Sequence, residues 1–414
     1  MLTMPRLAVL AAMLIASVPA LAATYDAHYR VEADPAVGNL RVELKLSGEQ
    51  LPGKLVFSID PQRHRNFTST DSVEIQGASV TWRPRGKYSR LHYDFVVNHE
   101  RAPGRFDSLM TQDWALFRAD KLVPRVRVTA ARGLESRATM EFQLPAQWTA
   151  VSAYPTTSDE LMQIDDPERR FDRPLGWMLI GKLGKRSESI GGVQTIVAAP
   201  AGDNARRQDM LSFLNWNLPH LLGVFPEFPR RLLVVSAGDP LWRGGLSAPA
   251  SLFLHASRPL ISENRTSTLL HELVHVAMGI HGDGESDWIV EGLAEYYSIE
   301  TLHRSGGISE QRYTEAMERL AKWGSSSINL MSEKSSGATT ARAVIVMREV
   351  DAEIRSLTRG KASLDDVARE LARRRGEVSL ELLQATAQKI AGNPLKSLDR
   401  ATLSGQTAKP APTP

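Results

Sequence analysis

A chain of 414 residues with 42% hydrophobic and 23% charged side chains has a globular balance, and its length suits two or three domains around a sizeable core. The net charge of +3 singles out no partner, and the basic runs Arg169-Arg170 and Arg373-Arg374-Arg375 lack the interleaved aromatics of a nucleic-acid surface, so no nucleic acid is expected. With zero cysteines, disulfides, thiolate nucleophiles and cysteine metal ligands are excluded, and any metal must be held by histidines and carboxylates.

The chain opens with a charged start, Met1 to Arg6, an apolar run from Leu7 to Pro19 and a small-residue cleavage site, Ala20-Leu21-Ala22. This reads as a signal peptide over residues 1–22. No later stretch approaches twenty uninterrupted apolar residues, and no cysteine follows the cleavage site to take a lipid. The mature protein is expected to be exported, periplasmic or secreted, with no integral membrane segment.

From Ala23 to about Pro155 apolar residues alternate in short runs: 40–46, 54–59, 80–82, 91–97, 125–129 and 138–144. Period two bounded by turn residues predicts a β-sandwich-like domain over 23–172. The polar stretch Pro155 to Pro174 reads as a connection, with the boundary near Asp172. The second unit, 173–308, starts with strands at 194–198, 232–236 and 251–255 and a helix at 209–223. Helices are expected at 264–278, 287–303, 309–323, 341–357, 363–374 and 379–391, with a capping box at Ser363-Leu-Asp-Asp366. Residues 309–402 form the helical C-terminal part of the catalytic unit, and 403–414 reads as a disordered tail. The fold class is α+β and multidomain.

The chemistry centres on His271-Glu-Leu-Val-His275. Histidines four apart on a helix project from one face and can share an ion. Glu272, one residue on, aims at the neighbouring coordination position, where a water can lose its proton to it. Sixteen residues after His275 comes Glu291, in a segment Asp287-Trp-Ile-Val-Glu291-Gly-Leu-Ala-Glu295 that carries two acids four apart; Glu291 can complete a His2Glu site. Glu295 is a candidate to accept an imidazole N–H and orient that ring. His281 fits a pattern with a third histidine ligand only if glycine stands three after His275, and that place holds Met278.

His271-Glu-Leu-Val-His275 followed by Trp288-Ile-Val-Glu291-Gly-Leu-Ala-Glu-Tyr-Tyr297 resembles the thermolysin-like, or gluzincin, zinc aminopeptidases, nearest the glycyl aminopeptidase and aminopeptidase N families. The resemblance implies a thermolysin-like catalytic domain with one Zn2+ per chain on His271, His275 and Glu291, Glu272 as general base, and a peptide or protein substrate. It also implies a substrate-binding strand, matched here by Gly244-Gly245-Leu246-Ser247, where the family's amino-end-holding acid is replaced by Ser247. The family's transition-state tyrosine has no counterpart in Lys334-Ser335-Ser336-Gly337-Ala338, which leaves Tyr296, Tyr297, Tyr313 and His303 as candidate donors.

Two functions follow as expectations. One is an exported zinc metallopeptidase with a glutamate base, possessing aminopeptidase-like architecture. The other is a weak or inactive zinc-peptidase-like protein that binds peptides or envelope proteins through the same cleft.

Overall fold

The computed structural model describes residues 23–164, 170–332 and 334–405. The leader expected at 1–22 lies outside them, as does the tail from 406 on.

In the N-terminal half the alternation of the sequence becomes alternation of burial, because each strand there shows one face to the core and one to water. Asn39–Ser47 and Tyr88–Val96 bury every second residue. Thr24–Asp34 pairs antiparallel with Asn39–Ser47, setting Tyr29 opposite Leu44, and parallel with Glu135–Gln143, setting Tyr29 opposite Met140. These strands belong to a six-stranded sheet, and a four-stranded sheet holding Lys54–Ser58 and Ser79–Arg83 shares its core. Tyr25, Tyr29, Phe57, Trp82, Phe95 and Phe117 fill the space between, all at most 1% exposed.

The described parts of the stretch read as a connection, 155–164 and 170–174, are built into this unit. Met162–Ile164 pairs with Glu135–Gln143, and Phe171 and Asp172 are buried. The Tyr25 hydroxyl donates to the Arg170 carbonyl at 2.6 Å and that of Tyr29 to the Asp172 carbonyl at 2.8 Å, giving two buried phenols the acceptors they require. Beyond Asp172, Trp177–Gly181 is buried at every position and pairs with Trp114–Arg118 and Thr149–Val151. The backbone thus crosses the division expected near Asp172 through a shared five-stranded sheet.

The second half holds another five-stranded sheet, ordered Leu183–Ile190, Val193–Pro200, Arg231–Ala237, Ser251–His255 and Gly245–Ala248. Its three central strands are parallel, and Gly245–Ala248 lies at the edge, antiparallel to Ser251–His255. Among the described residues of both halves the helices are α1 (Ala119–Leu122), α2 (Arg207–Val224), α3 (Thr268–Met278), α4 (Asp287–Arg304), α5 (Glu310–Gly324), α6 (Ala338–Thr358), α7 (Leu364–Arg374), α8 (Leu380–Ala391) and α9 (Arg400–Leu403). Helix α3 begins at Thr268 rather than near Asn264, because Arg265 is left-handed (φ 65°) and Ser267 is the cap, accepting the Leu270 N–H. Gly279 stops it in the left-handed conformation, just past the end expected at 278. Helix α7 has the expected capping box between Ser363 and Asp366. Leu403, assigned to the tail by sequence, is fully buried, and its carbonyl accepts the Leu330 N–H at 3.0 Å. One continuous apolar core joins α2 to α9 with the outer face of this sheet.

Candidate metal centre

Helices α3 and α4 meet because most of their surfaces are apolar. Leu269, Leu270, Leu273, Val274, Val276, Ala277 and Met278 of α3 are buried, which leaves the stripe of His271, Glu272 and His275 at the seam. In α4 thirteen residues are buried, while Glu291 and Glu295 stay partly accessible. Gly292 lets α4 press on α6, since a methyl there would lie 2.8 Å from the Ala343 Cβ. Ser298 of α4 fastens the start of α3: its hydroxyl donates to the Ser267 carbonyl at 3.0 Å and accepts the Ser267 N–H at 3.3 Å. No sequence pattern singled out that clamp.

The seam brings together the three residues expected to act as ligands. His271 Nε2 lies 3.3 Å from Glu291 Oε2, His275 Nε2 3.5 Å from Glu291 Oε1, and the two Nε2 atoms are 3.1 Å apart. All three ligand atoms fall within 4.8 Å of one another. Two imidazole nitrogens and a carboxylate so close require a cation among them, either a proton or a metal ion. On the far side of the His271 ring, Nδ1 is 2.9 Å from Glu295 Oε2, which fixes the ring's orientation.

The charges respond accordingly. Burial opposes the His271 cation, but hydrogen bonds to Glu291 and Glu295 outweigh it and hold the ring well above the usual imidazole range. Burial, followed by repulsion from His271, pushes His275 down to about 4. For Glu291 burial is likewise the largest influence, yet the hydrogen bond from His271 prevails and keeps its carboxyl below the ordinary range. Burial raises Glu272, the reverse of its ligand neighbour.

Glu272 faces the edge strand Gly245–Ala248. Ser247 stands beside its carboxylate and favours the charged form, against the burial that raises it. Gly245 is so close that a methyl group would overlap Glu272 Cγ and stand 2.8 Å from Oε1. Gly244, Gly245, Leu246 and Ser247 therefore lie beside the site, with Ser247 touching the acid chemistry directly. Asp287, one helical turn before Glu291, accepts the Ser335 N–H at 2.7 Å and is raised chiefly by burial. Its place on the 287–291–295 stripe was legible in the helix period, but its partner was not.

The four candidate donors do not join the site. At 100° per residue, positions 296, 297 and 303 leave the stripe of 291 and 295. The Tyr297 hydroxyl bonds Asp365 at 3.0 Å, and Tyr313 bonds Glu300 at 2.5 Å. His303 pairs with Glu310 at 2.8 Å and stacks on Tyr313, while Tyr296 is buried edge-on against Tyr297. His281 sits exposed in a short strand, Ile280–Gly282, outside the ligand group.

No family model and no curated protein matches the sequence. Solved structures do match it. An aminopeptidase N family protein from Idiomarina loihiensis superposes with a TM-score of 0.65 at 15% identity, covering 84% of this chain and 70% of that one. An M1 zinc metallopeptidase from Deinococcus radiodurans gives 0.57 at 16% identity, with 95% of both chains covered. A mutant of the Deinococcus protein bound to a Tyr-Ser-Ala substrate gives 0.58 at 16% identity, covering 95% of this chain and 96% of that one. At such identities the likeness speaks for architecture, and the chain has the α+β, multidomain fold of the aminopeptidase N and M1 zinc metallopeptidase structures.

Proposed function

We propose that this protein is an exported zinc metallopeptidase that hydrolyses peptide bonds with Glu272 as general base and one zinc per chain on His271, His275 and Glu291. The observation that carries the proposal is the convergence of two imidazoles and one carboxylate, with a half-buried acid on the adjacent helix position. The donor set suits zinc: three nitrogen and oxygen ligands leave the fourth position of a tetrahedral ion open. The similarity to zinc peptidases, one of them holding a peptide, supports the same reading.

When bound, zinc acidifies water and polarises a carbonyl. The chain does the rest. Glu272, raised by burial, accepts a proton from the attacking water and returns it to the leaving amine. The absence of a side chain at Gly245 leaves that carboxylate its place, and Ser247 favours its charged form. Glu295 keeps the His271 ring turned toward Glu291. Export rests on the leader at residues 1–22, and the carrying test for it is recovery of the processed chain outside the cytoplasm.

Purified without chelators, the chain should hold one zinc, and Glu272→Gln should keep the metal while losing cleavage of peptide libraries. Zinc-loaded wild type inert on such libraries would overturn the proposal. That result would favour the second reading, a peptide-binding protein without turnover, which draws on the engagement of Tyr297 and Tyr313 with acids elsewhere. Under it Glu272→Gln would bind peptides as wild type does and show the same phenotype in cells.

A further inference from the structure

Which peptides suit the cleft is written next to the edge strand. Upstream of Gly245, which touches Glu272, the chain turns through Leu241 to Gly244 and packs the Trp242 indole against Gly244. The N-terminal half reaches this turn: Trp242 N–H donates to the Phe106 carbonyl at 2.8 Å, and the Phe106 N–H to that of Pro240 at 3.1 Å. The antiparallel pair His99–Ala102 and Arg105–Met110 sets the Arg101 guanidinium 5.2 Å from the Trp242 ring centre and Arg105 on Asp239. Arg243 also pairs with Asp239. Arg258 donates to the Arg243 carbonyl at 2.8 Å, and Arg206 to the Arg258 carbonyl at 3.3 Å.

Five arginines thus ring one end of the strand, and Asp239 is the acid paired with two of them. Arg101, Arg206 and Arg258 are exposed and, among the described residues, have no carboxylate at ion-pair distance. A chain advances at most about 3.6 Å per residue, so the Arg243 backbone lies within about 7 Å of the Gly245 backbone that faces Glu272. That is one or two residues of an extended peptide laid along the edge strand. A guanidinium fork fits a carboxylate with two parallel hydrogen bonds, and one such fork, that of Arg101, lies over the Trp242 ring.

We propose that this arginine collar binds a carboxylate of the substrate, so that the favoured peptides carry an acidic side chain or their own free carboxyl terminus one or two residues from the bond Glu272 serves. The proposal rests on the peptidase reading for the location of that bond. The collar couples the two halves of the chain, since Arg101 and Arg105 come from the first and Arg206, Arg243 and Arg258 from the second.

The test is calorimetric titration of zinc-loaded Glu272→Gln protein with three versions of one short peptide: amidated and neutral, amidated with one aspartate, and neutral with a free carboxyl terminus. Charge-assisted hydrogen bonds make the expected advantage of the collar's ligand about tenfold or more over the neutral peptide. An advantage for the aspartate peptide identifies a side chain as the source, and one for the free-ended peptide identifies the terminus. Adding Arg101→Gln and Arg258→Gln should erase that advantage, whereas Arg373→Gln on α7 should preserve it. Equal affinity for all three peptides, or an advantage that survives both collar variants, overturns the proposal. If peptides bind with this preference but wild type cleaves none of them, the collar stands and the peptidase reading falls.

Discussion

The two halves of the molecule treat buried polar groups in opposite ways. In the β half such groups are satisfied by the backbone: Arg63 donates to the carbonyls of Val96 and Val97, His64 Nε2 meets the Lys121 carbonyl at 2.8 Å, and Tyr93 donates to Leu122. In the helical half, at the seam of α3 and α4, polar side chains are satisfied mainly by each other, two imidazoles and three acids within one cluster. A backbone carbonyl is a permanent neutral acceptor and asks for nothing further. A cluster of bases and acids demands a cation, so the first arrangement builds a fold and the second builds a site.

Breaking the cluster should give the largest effects. His271→Ala removes a ligand and leaves Glu291 and Glu295 without their shared partner, so bound zinc should fall from one per chain to none by elemental analysis. Loss of the metal's stabilisation should lower the melting temperature, by about 2.7 kcal/mol of unfolding free energy when free zinc stands at 100 times the dissociation constant. Retention of stoichiometric zinc would show that the seam is not the metal centre. Glu272→Gln comes next: kcat should drop by about 10²–10⁴-fold with zinc unchanged, which kinetics and metal content measured on one preparation will check.

A smaller change sharpens the comparison from the strand side. Gly245→Ala places a methyl into Glu272 and 2.9 Å from Thr268 Cγ2, so it should displace the acid and cut kcat by about tenfold to a hundredfold while zinc stays bound. A variant of undiminished activity would mean that the carboxylate's position is not set by this contact.

The β half offers the mildest test, and its sign can be worked out. Burial, the largest influence on His64, lowers its pKa below the usual imidazole range in the folded chain. The unfolded chain therefore binds the proton more readily, and stability rises with pH across this window. Stability should be lost as pH falls through the ordinary histidine range toward the lowered folded value. Denaturant unfolding of wild type and His64→Gln between about pH 7 and pH 5 should show a shallower decline in the variant. A parallel decline would assign the acid sensitivity to other groups.

Much of this was legible in one dimension. The period-two runs located strands of the β half because each has a wet face, and the helix starts expected at 309, 363 and 379 coincide with the caps Ser309, Ser363 and Ser379. The ligand trio was also legible, since helical spacing alone lines up 271 with 275 and 291 with 295. Trp177–Gly181 lost its period because it is covered on both faces, so its partner strands could not be read. The candidate donors Tyr296, Tyr297, Tyr313 and His303 failed for a related reason: residue type says that a hydroxyl or imidazole exists, while the turn of the helix and the acids of neighbouring elements decide where it points.

By itself, then, the sequence determined what repeats locally: strand and helix periods, caps, and two imidazoles on one helical face with an acid between them. Only the tertiary structure decided that α4 approaches α3 with its acids inward, that Ser247 and Gly245 press on Glu272, and that arginines from both halves gather at one end of the edge strand. The reason is physical. Local pattern sets the direction in which a side chain leaves its own element, whereas contacts between elements distant in sequence depend on how apolar faces pack, and that packing is a property of the whole core.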